Sequence, residues 1–388
     1  MRRFLAGCLC ILLAFCSAEA GAEPLQERLD ALMKKYRAVG AAVVAAQNGR
    51  IFLRYTYGYE DRASERPVTM DTRFRVASVT KMISALRVMQ LVEQGRLDLD
   101  RDISDLLGYP VENPFAEGKI TLRMLMSHTS SLAGSGYRFP GRTLRELIGD
   151  RKRTRNRFLN QRPGKKYVYS NLGAGIMGTL IELAEGKNVD TALREGVFAP
   201  LHIDAGFSPQ TLRDPSHVAS LYNEGGNGLR RGPQKWTDMA WDGVPDPELH
   251  YDLTVGDLLI GPEDLCRLGM MLAAGGALNG VRLLEEKTVR EMTADQQGKP
   301  GILAQSPYGL CVHREQRLLP GHTLFGHQGH MWGTLCSLYW EPETRTVVLL
   351  VSNGCAVTLK SNTSVLAAKI WEMIWNGNAD AQPAMVAD

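Results

Sequence analysis

The sequence predicts an α/β (α+β) protein: a mainly antiparallel five-stranded sheet flanked by helices, with a mostly helical domain inserted between its parts. Three observations predict it. Two β-rich runs, residues 40–46 and 50–57, flank Gln47-Asn48-Gly49, and Asn-Gly between such runs signals a hairpin. Three more β-rich runs, 308–313, 334–340 and 346–352, lie near the other end of the chain. From Ser78 to about residue 295 the apolar pattern is mainly helical. Because an isolated hairpin is barely stable in water, the two early strands most simply join the three late ones in one sheet.

The elements follow in order. Leu25, Leu29, Leu32, Met33 and Tyr36 fall at helical spacing, so residues 25–37 read as an amphipathic helix. After the hairpin, an extended link over 71–76 delivers the chain to Ser78, which opens a run that is apolar on nearly all sides until Gly95. Such a run is a buried helix with a glycine stop. Residues 174–184 form a second apolar helix ending near Gly186, and Pro262 starts a third that stops at Gly275-Gly276. The stretch 223–251 is rich in Gly, Pro, Trp and Asp, without a clear period, and reads as a long ordered loop of the kind that lines sites. Residues 364–375 close the fold as an apolar helix that covers one sheet face together with 25–37.

Composition bounds the class. With 388 residues, 44% hydrophobic and 22% charged, the chain is long enough for two substructures with substantial cores. The net charge is +3, and Arg2 and Arg3 belong to a leader, so a nucleic-acid partner is not implied. Those arginines, the apolar stretch Phe4 to Cys16, and the small-residue patterns at 18–22 have the order of a secretory signal peptide, too short to span a membrane. The expected organisation is a signal peptide at 1–22, a single domain at 23–376 and a loose tail at 377–388. Within the domain, 23–77 and 300–376 form the α/β part and 78–299 the helical insertion. The mature protein is expected in a bacterial periplasm or secreted, without a stable membrane anchor. Of seven cysteines, Cys266, Cys311, Cys336 and Cys355 lie outside the leader. They allow three complete pairings, contain no Cys-x-x-Cys, and read as core residues or one bridge.

Three short motifs carry chemistry. In Ser78-Val79-Thr80-Lys81, residues three apart on a helix sit side by side, so the Ser78 hydroxyl can face the Lys81 amine. Burial lowers a lysine pKa towards the range of a base. A serine at a helix start is more often a cap than a nucleophile, and the motif gains weight from the two that follow it. Tyr169-Ser170-Asn171 offers a phenol that can shuttle protons and an amide that can hold a substrate carbonyl. His327-Gln328-Gly329 leads into the strand at Thr334, and its glycine lets a strand edge approach a ligand closely. A metal set of His322, His327 and His330 is the rival reading, but no helical His-x-x-x-His and no carboxylate stand at ligand spacing. Neither metal nor other cofactor is expected.

Ser78-x-x-Lys81, Tyr169-x-Asn171 and His327-x-Gly329, in this order and at these separations, resemble the three motifs of the serine penicillin-recognising superfamily. That group comprises class C β-lactamases, DD-peptidases (penicillin-binding proteins) and the related esterases and D-aminopeptidases. The flanks are similar too, among them Phe74-Arg75-Val76-Ala77, Met126-Ser127-His128-Thr129-Ser130, Pro163-Gly164 and Gly280-Val281-Arg282-Leu283-Leu284. The likeness covers most of residues 25–376 and implies a β-lactamase/transpeptidase-like fold. It further implies acylation of Ser78, acid/base work shared by Lys81 and Tyr169, and Asn171 on the acyl group's amide. His327, Gln328, Gly329 and His330 would line the substrate, with the N–H groups of Ser78 and His330 as oxyanion hole.

A histidine at the third motif is similar to some DD-peptidases, D-aminopeptidases and esterases, where β-lactamases usually have lysine. Gln328 departs from the usual Thr or Ser, whose hydroxyl helps bind a substrate carboxylate. Lys299-Pro300-Gly301 is a poor substitute for that motif, because proline fits a substrate-facing strand edge badly. Arg314 and Arg317 are candidate replacement cations, though a hairpin arginine is usually a solvated charge. His128 reads as a turn residue, Ser131 stands where the family often has glycine, and Tyr137 and Trp332 are candidate cleft aromatics. The expected function is acyl-enzyme hydrolysis of a small-molecule, peptide or ester substrate, favouring DD-carboxypeptidase, D-amino-acid peptidase or esterase activity with weak β-lactam hydrolysis. A true class C-like β-lactamase is the alternative within the class. A penicillin-binding sensor or catalytically silent binding protein is the alternative outside it.

Overall fold

The computed structural model describes residues 24–134, 139, 141–232, 243–296, 307–360 and 363–379. The leader, Tyr137, Lys299-Pro300-Gly301 and residues 380–388 of the expected tail lie outside these residues.

Helix α1 (Leu25–Lys35) leads into strands β1 (Gly40–Gln47) and β2 (Arg50–Asp61), with a short edge strand β3 (Arg66–Pro67). Asn48 and Gly49 both take positive φ, 48° and 78°, the conformation a two-residue turn needs to match the twist of its strands. Near the other end come β4 (His313–Glu315), β5 (Leu324–Met331), β6 (Thr334–Glu341) and β7 (Thr346–Ser352). These make one seven-stranded sheet in the order β4-β5-β6-β7-β1-β2-β3, antiparallel at every pairing. The distant halves of the chain meet at β1 and β7, in register from Ala41 opposite Ser352 to Gln47 opposite Thr346.

β1 reads Gly-Ala-Ala-Val-Val-Ala-Ala, without alternation, because both of its faces are covered. Ala42, Val44 and Ala46 join the core on the helical side. Ala41, Val43 and Ala45 pack with Leu29 and Met33 of α1 and with Ile370 and Trp371 of the C-terminal helix.

Besides the additional edge strand β3, the sheet departs from the expected five strands in two places. Residues 308–313 are not a strand: the chain turns back through Cys311 at φ 55°, leaving Tyr308 and His313 as an isolated bridge, and pairing with β5 begins only at His313. Conversely, the third motif does not merely lead into a strand but lies within β5. Two glycines and three polar residues hide it from a propensity reading, and its register with β6, Phe325 opposite Trp340 to Met331 opposite Thr334, supplies the order.

Between the halves, α2 (Val79–Glu93) is buried almost all round and ends before Gly95 at φ 69°. It packs with α3 (Asn171–Glu185), α4 (Leu253–Gly256) and the helical-side face of the sheet, which α5 (Pro262–Ala273) also covers. Within the expected loop at 223–251, Leu229–Arg231 pairs with Leu221–Tyr222 just before it, and residues 233–242 lie outside the described set. α6 (Val365–Ala379) continues past residue 376, where a loose tail was expected. Among the described residues all four cysteines are free and buried, and no helix is long and apolar enough to cross a membrane.

Candidate active site

The first motif sits where the chain turns from the strand pair at Phe74–Arg75 into α2. Ala77 holds φ 46°, a left-handed conformation unusual for alanine, and Ser78 follows at φ −63°, ψ −10° as the residue that starts the helix. The Ser78 side chain makes no capping bond. Its Oγ instead accepts a hydrogen bond from Lys81 Nζ at 3.0 Å, so the ordinary role of a serine at this position is set aside.

Lys81 is fully buried, and its Nζ also donates to Val255 O at 2.6 Å. Burial pushes its pKa down to about 7; Cys311 and Asp257 oppose the shift and the Arg75 charge adds to it. An ammonium here donates to both oxygens. Once neutral, it keeps an N–H on Val255 O and has a lone pair to turn on the Ser78 hydroxyl.

A strap of residues 255–258 holds this arrangement. Leu258 O accepts from Val76 N at 3.1 Å, and Leu258 N donates to Thr80 Oγ1 at 3.3 Å. Arg75 Nε donates to Gly256 O at 2.8 Å, while its guanidinium pairs with Asp257 out of solvent. Val255 O lies near the C-terminal end of α4, where carbonyls lack intrahelical partners, and Lys81 fills that need.

Tyr169 stands just before α3, its ring centroid 5.2 Å from Lys81 Nζ and 6.5 Å from the His327 ring. Asn171 is the first residue of α3, whose start is capped by Ser170 Oγ accepting from Gly173 N at 3.1 Å. The second motif is therefore a loop-to-helix junction, and it places Tyr169 beside the lysine of the first.

Alternate residues of β5 face opposite sides of the sheet. His327 and Gly329 share the helical side with Phe325; Gln328 and His330 share the other with Leu324. At Gly329 the strand runs against the Ser78 turn: a Cβ there would stand 2.8 Å from Ser78 N and 2.4 Å from Val76 O. Only glycine permits that approach. It sets a strand edge beside the Ser78 N–H, the arrangement an oxyanion hole requires.

The side chains of the third motif are otherwise engaged. His327 is buried, with Nε2 accepting from Tyr308 O–H at 3.0 Å and Nδ1 donating to Gln328 O at 2.7 Å. Burial holds its pKa well below the usual imidazole value, with the neighbouring His313 and Lys81 acting in the same direction, so it is neutral near pH 7. Gln328 Oε1 accepts from Ser364 N at 2.8 Å, and His330 Nε2 lies 3.0 Å from Glu224 Oε1. His322 packs on Trp375, so the histidines of the metal reading are dispersed.

The candidate replacement cations are occupied as well. Arg314 donates to Thr293 O at 2.7 Å and lies over Phe325; Arg317 pairs with Glu315 at 3.8 Å. Trp332 is flanked by the guanidinium groups of Arg75 and Arg230, 4.9 and 5.2 Å from its ring.

Four contributors escaped the sequence reading. Val255 acts through a backbone carbonyl, which no side-chain pattern reports. Asp257 carries no motif. Tyr308 and His313 fall in a stretch whose pattern predicts a strand, although their rings close around His327, with His313 4.3 Å from it. Arg75 was visible only as part of the flank of the first motif. As assembled, the site combines a serine with an adjacent buried base, a phenol, and a backbone N–H beside a strand edge, which is the equipment of acyl transfer.

The chain is similar to several known proteins. The Beta-lactamase family model matches residues 25–359. The chain is 29% identical over 344 residues to penicillin-binding protein 4 of Amycolatopsis lactamdurans, spanning 86% of this chain and 85% of that protein. It is 35% identical over 226 residues to esterase EstB of Burkholderia gladioli, covering 53% of this chain and only 56% of the esterase. Among solved structures, the octameric penicillin-binding protein homologue from Pyrococcus abyssi superposes with a TM-score of 0.73 at 20% identity, over 91% of this chain and 77% of that one, a likeness of fold alone.

Proposed function

The chain belongs to the Beta-lactamase family, and from that premise we propose that it is a serine hydrolase acting through an acyl-enzyme at Ser78. The observation that carries the reading is the 3.0 Å contact between Lys81 Nζ and Ser78 Oγ in a buried setting. In the proposed reaction Ser78 Oγ bonds to a carbonyl carbon while its proton passes to neutral Lys81. The oxyanion is met by the Ser78 N–H and that of His330 on β5, and Asn171 holds the acyl group. The C–O or C–N bond then breaks, Lys81 and Tyr169 relaying the proton to the leaving group. Water next attacks the acyl carbon, gives its proton back through the same groups, and frees the acid and Ser78.

The substrate class follows from the third motif. His327 is neutral and bonded at both ring nitrogens, and Gln328 is engaged with Ser364, so neither offers a cation or hydroxyl to a substrate carboxylate. This favours an ester or an amide, including D-amino-acid amides and peptides, over efficient β-lactam hydrolysis. The names of the relatives, a penicillin-binding protein and an esterase, support both sides of that range. We take 23–376 as one hydrolase domain and the leader-like 1–22 as a signal for export to a bacterial periplasm or beyond.

The test is to incubate the mature protein with a short-chain aryl ester, a D-Ala-D-Ala peptide, a chromogenic cephalosporin and a fluorescent penicillin, following covalent mass at Ser78 alongside product. Ester or peptide turnover that vanishes in Ser78→Ala is the expected result. Rapid cephalosporin turnover would make it a class C-like β-lactamase, and stable label without product a sensor. A protein that neither these substrates nor a fluorophosphonate modifies at Ser78 is not a serine hydrolase.

A further inference from the structure

In the reaction proposed above Tyr169 relays a proton, so its phenol must be held in place. We infer that His128 is the positioning residue for Tyr169, because the two backbone N–H groups flanking that tyrosine, those of Val168 and Ser170, both donate to His128. Val168 N donates to His128 O at 2.8 Å and Ser170 N donates to His128 Nδ1 at 3.2 Å. One residue thus grips the tyrosine's backbone on both sides, and its own ring lies 4.2 Å from the Tyr169 ring. This inference rests on the hydrolase reading.

The grip has features that a plain turn residue does not need. His128 holds φ 56°, a left-handed conformation in which asparagine is common and histidine less so. Since Nδ1 accepts, the ring must be neutral with its proton on Nε2, and Nε2 is buried without a hydrogen-bond partner among the described residues. The imidazole is packed among Tyr167, Tyr169 and Tyr308, at 5.8, 4.2 and 5.1 Å between ring centroids. Burial keeps it uncharged, as the acceptor role requires. A turn alone needs only the backbone of His128, its left-handed φ and its carbonyl. What the imidazole adds is a rigid plane against the phenol ring together with an acceptor for Ser170.

The far side of the loop is fixed independently. Ser170 Oγ donates to Ala133 O at 3.0 Å, and Gly134 lies so near that a Cβ on it would stand 2.4 Å from Tyr169 O. Removing the His128 acceptor should therefore let Tyr169 shift without unravelling the junction. Misplacement of a reacting group by about 1 Å lowers rates by about a hundredfold.

The test uses the whole mature protein, 4-nitrophenyl butyrate as substrate and a fluorophosphonate as probe of Ser78. Wild-type labelling at Ser78 together with turnover of the ester establishes the hydrolase reading by itself; the absence of either overturns that reading and this inference with it. Given labelling, His128→Leu should lower kcat by about 10–100-fold with KM within about twofold, at a temperature where near-ultraviolet circular dichroism reports a native fold. His128→Asn, whose Oδ1 can take the Nδ1 position, should recover most of the rate. In a Tyr169→Phe background, His128→Leu should lower kcat no further, since its effect runs through the tyrosine. Wild-type kcat in folded His128→Leu, equal losses in the Leu and Asn variants, or full additivity with Tyr169→Phe would each overturn the inference. If His128→Leu does not fold, His128→Gln, whose amide reaches the Nε2 position instead, takes its place with the same expectations.

Discussion

Lys81 Nζ lies 3.0 Å from Ser78 Oγ, and a bond of 2.6 Å to Val255 O holds it there. A lysine in water stays charged to about pH 10.4. This one is pushed down to about 7 by burial, so it changes state in the range where a base is useful. Only the neutral amine can take the serine proton. The acylation rate should therefore rise about tenfold per pH unit below about 7 and level above it. Stopped-flow measurement of fluorophosphonate labelling between pH 5 and 9 checks this, and a flat profile would remove Lys81 as the base.

The same shift has a consequence for stability. The folded pKa lies below the unfolded one, so between about 7 and 10.5 the unfolded chain binds the extra proton, and stability falls as pH drops through that window. Lys81→Met fills the space without a charge. It should abolish labelling yet raise resistance to urea at pH 7 by a few kcal/mol, a gain that shrinks when the measurement is repeated at pH 9. A variant less stable than wild type at pH 7 would mean that the bonds to Ser78 and Val255 outweigh the buried charge.

Gly329 tests the strand's approach to the nucleophile. A methyl there meets backbone, Val76 O at 2.4 Å and Ser78 N at 2.8 Å, rather than a side chain that can swing aside. Gly329→Ala should push β5 from the Ser78 turn and lower kcat by about 100-fold or more, in the range measured for loss of one oxyanion-hole donor. The midpoint of thermal unfolding should fall only modestly, because the register of β5 with β6 does not depend on the methyl-facing side. Unchanged turnover in a folded variant would show that the strand edge takes no part in the reaction.

These relationships were unevenly visible in the sequence. The hairpin at Asn48-Gly49, the buried helix behind Ser78 and the cover of both terminal helices follow from local pattern, and the structure contains all three. The order of the motifs brought Ser78, Lys81 and Tyr169 together because each sits at the start of a helix, where sequence signals are strong. β5 escapes a local reading because two glycines and three polar residues among its eight positions give it weak strand propensity, so its pairing is set by β6 rather than by its own residues. Val255 was missed because a carbonyl has no residue code. The neutrality of His327 depends on Tyr308, nineteen positions away in sequence and displaced from the strand it was expected to form, so no local reading reaches it.

That neutrality extends to three rings and makes the last prediction. His128 and His327 are buried and His313 is half-buried beside them, and loss of solvent holds each below the usual imidazole range, His313 at about 4, with the Lys81 charge adding to the shift. For each, the folded pKa lies below the unfolded value near 6.5, so the unfolded chain takes up protons that the native state refuses. Stability is therefore complete above about pH 6.5 and falls as pH drops towards the folded values, by about 1.4 kcal/mol per pH unit for every ring involved. Three rings acting together should steepen acid destabilisation between pH 6.5 and 4, before most carboxylates titrate. Urea unfolding at pH 7, 6, 5 and 4.5 measures the slope directly. His313→Phe should flatten it by about one ring's share, since it removes a titrating group whose Nε2 has no partner among the described residues. A slope that begins only below pH 5 would mean that the native rings take up protons as readily as the unfolded chain, and one unchanged by that substitution would mean that His313 is not among the groups held neutral.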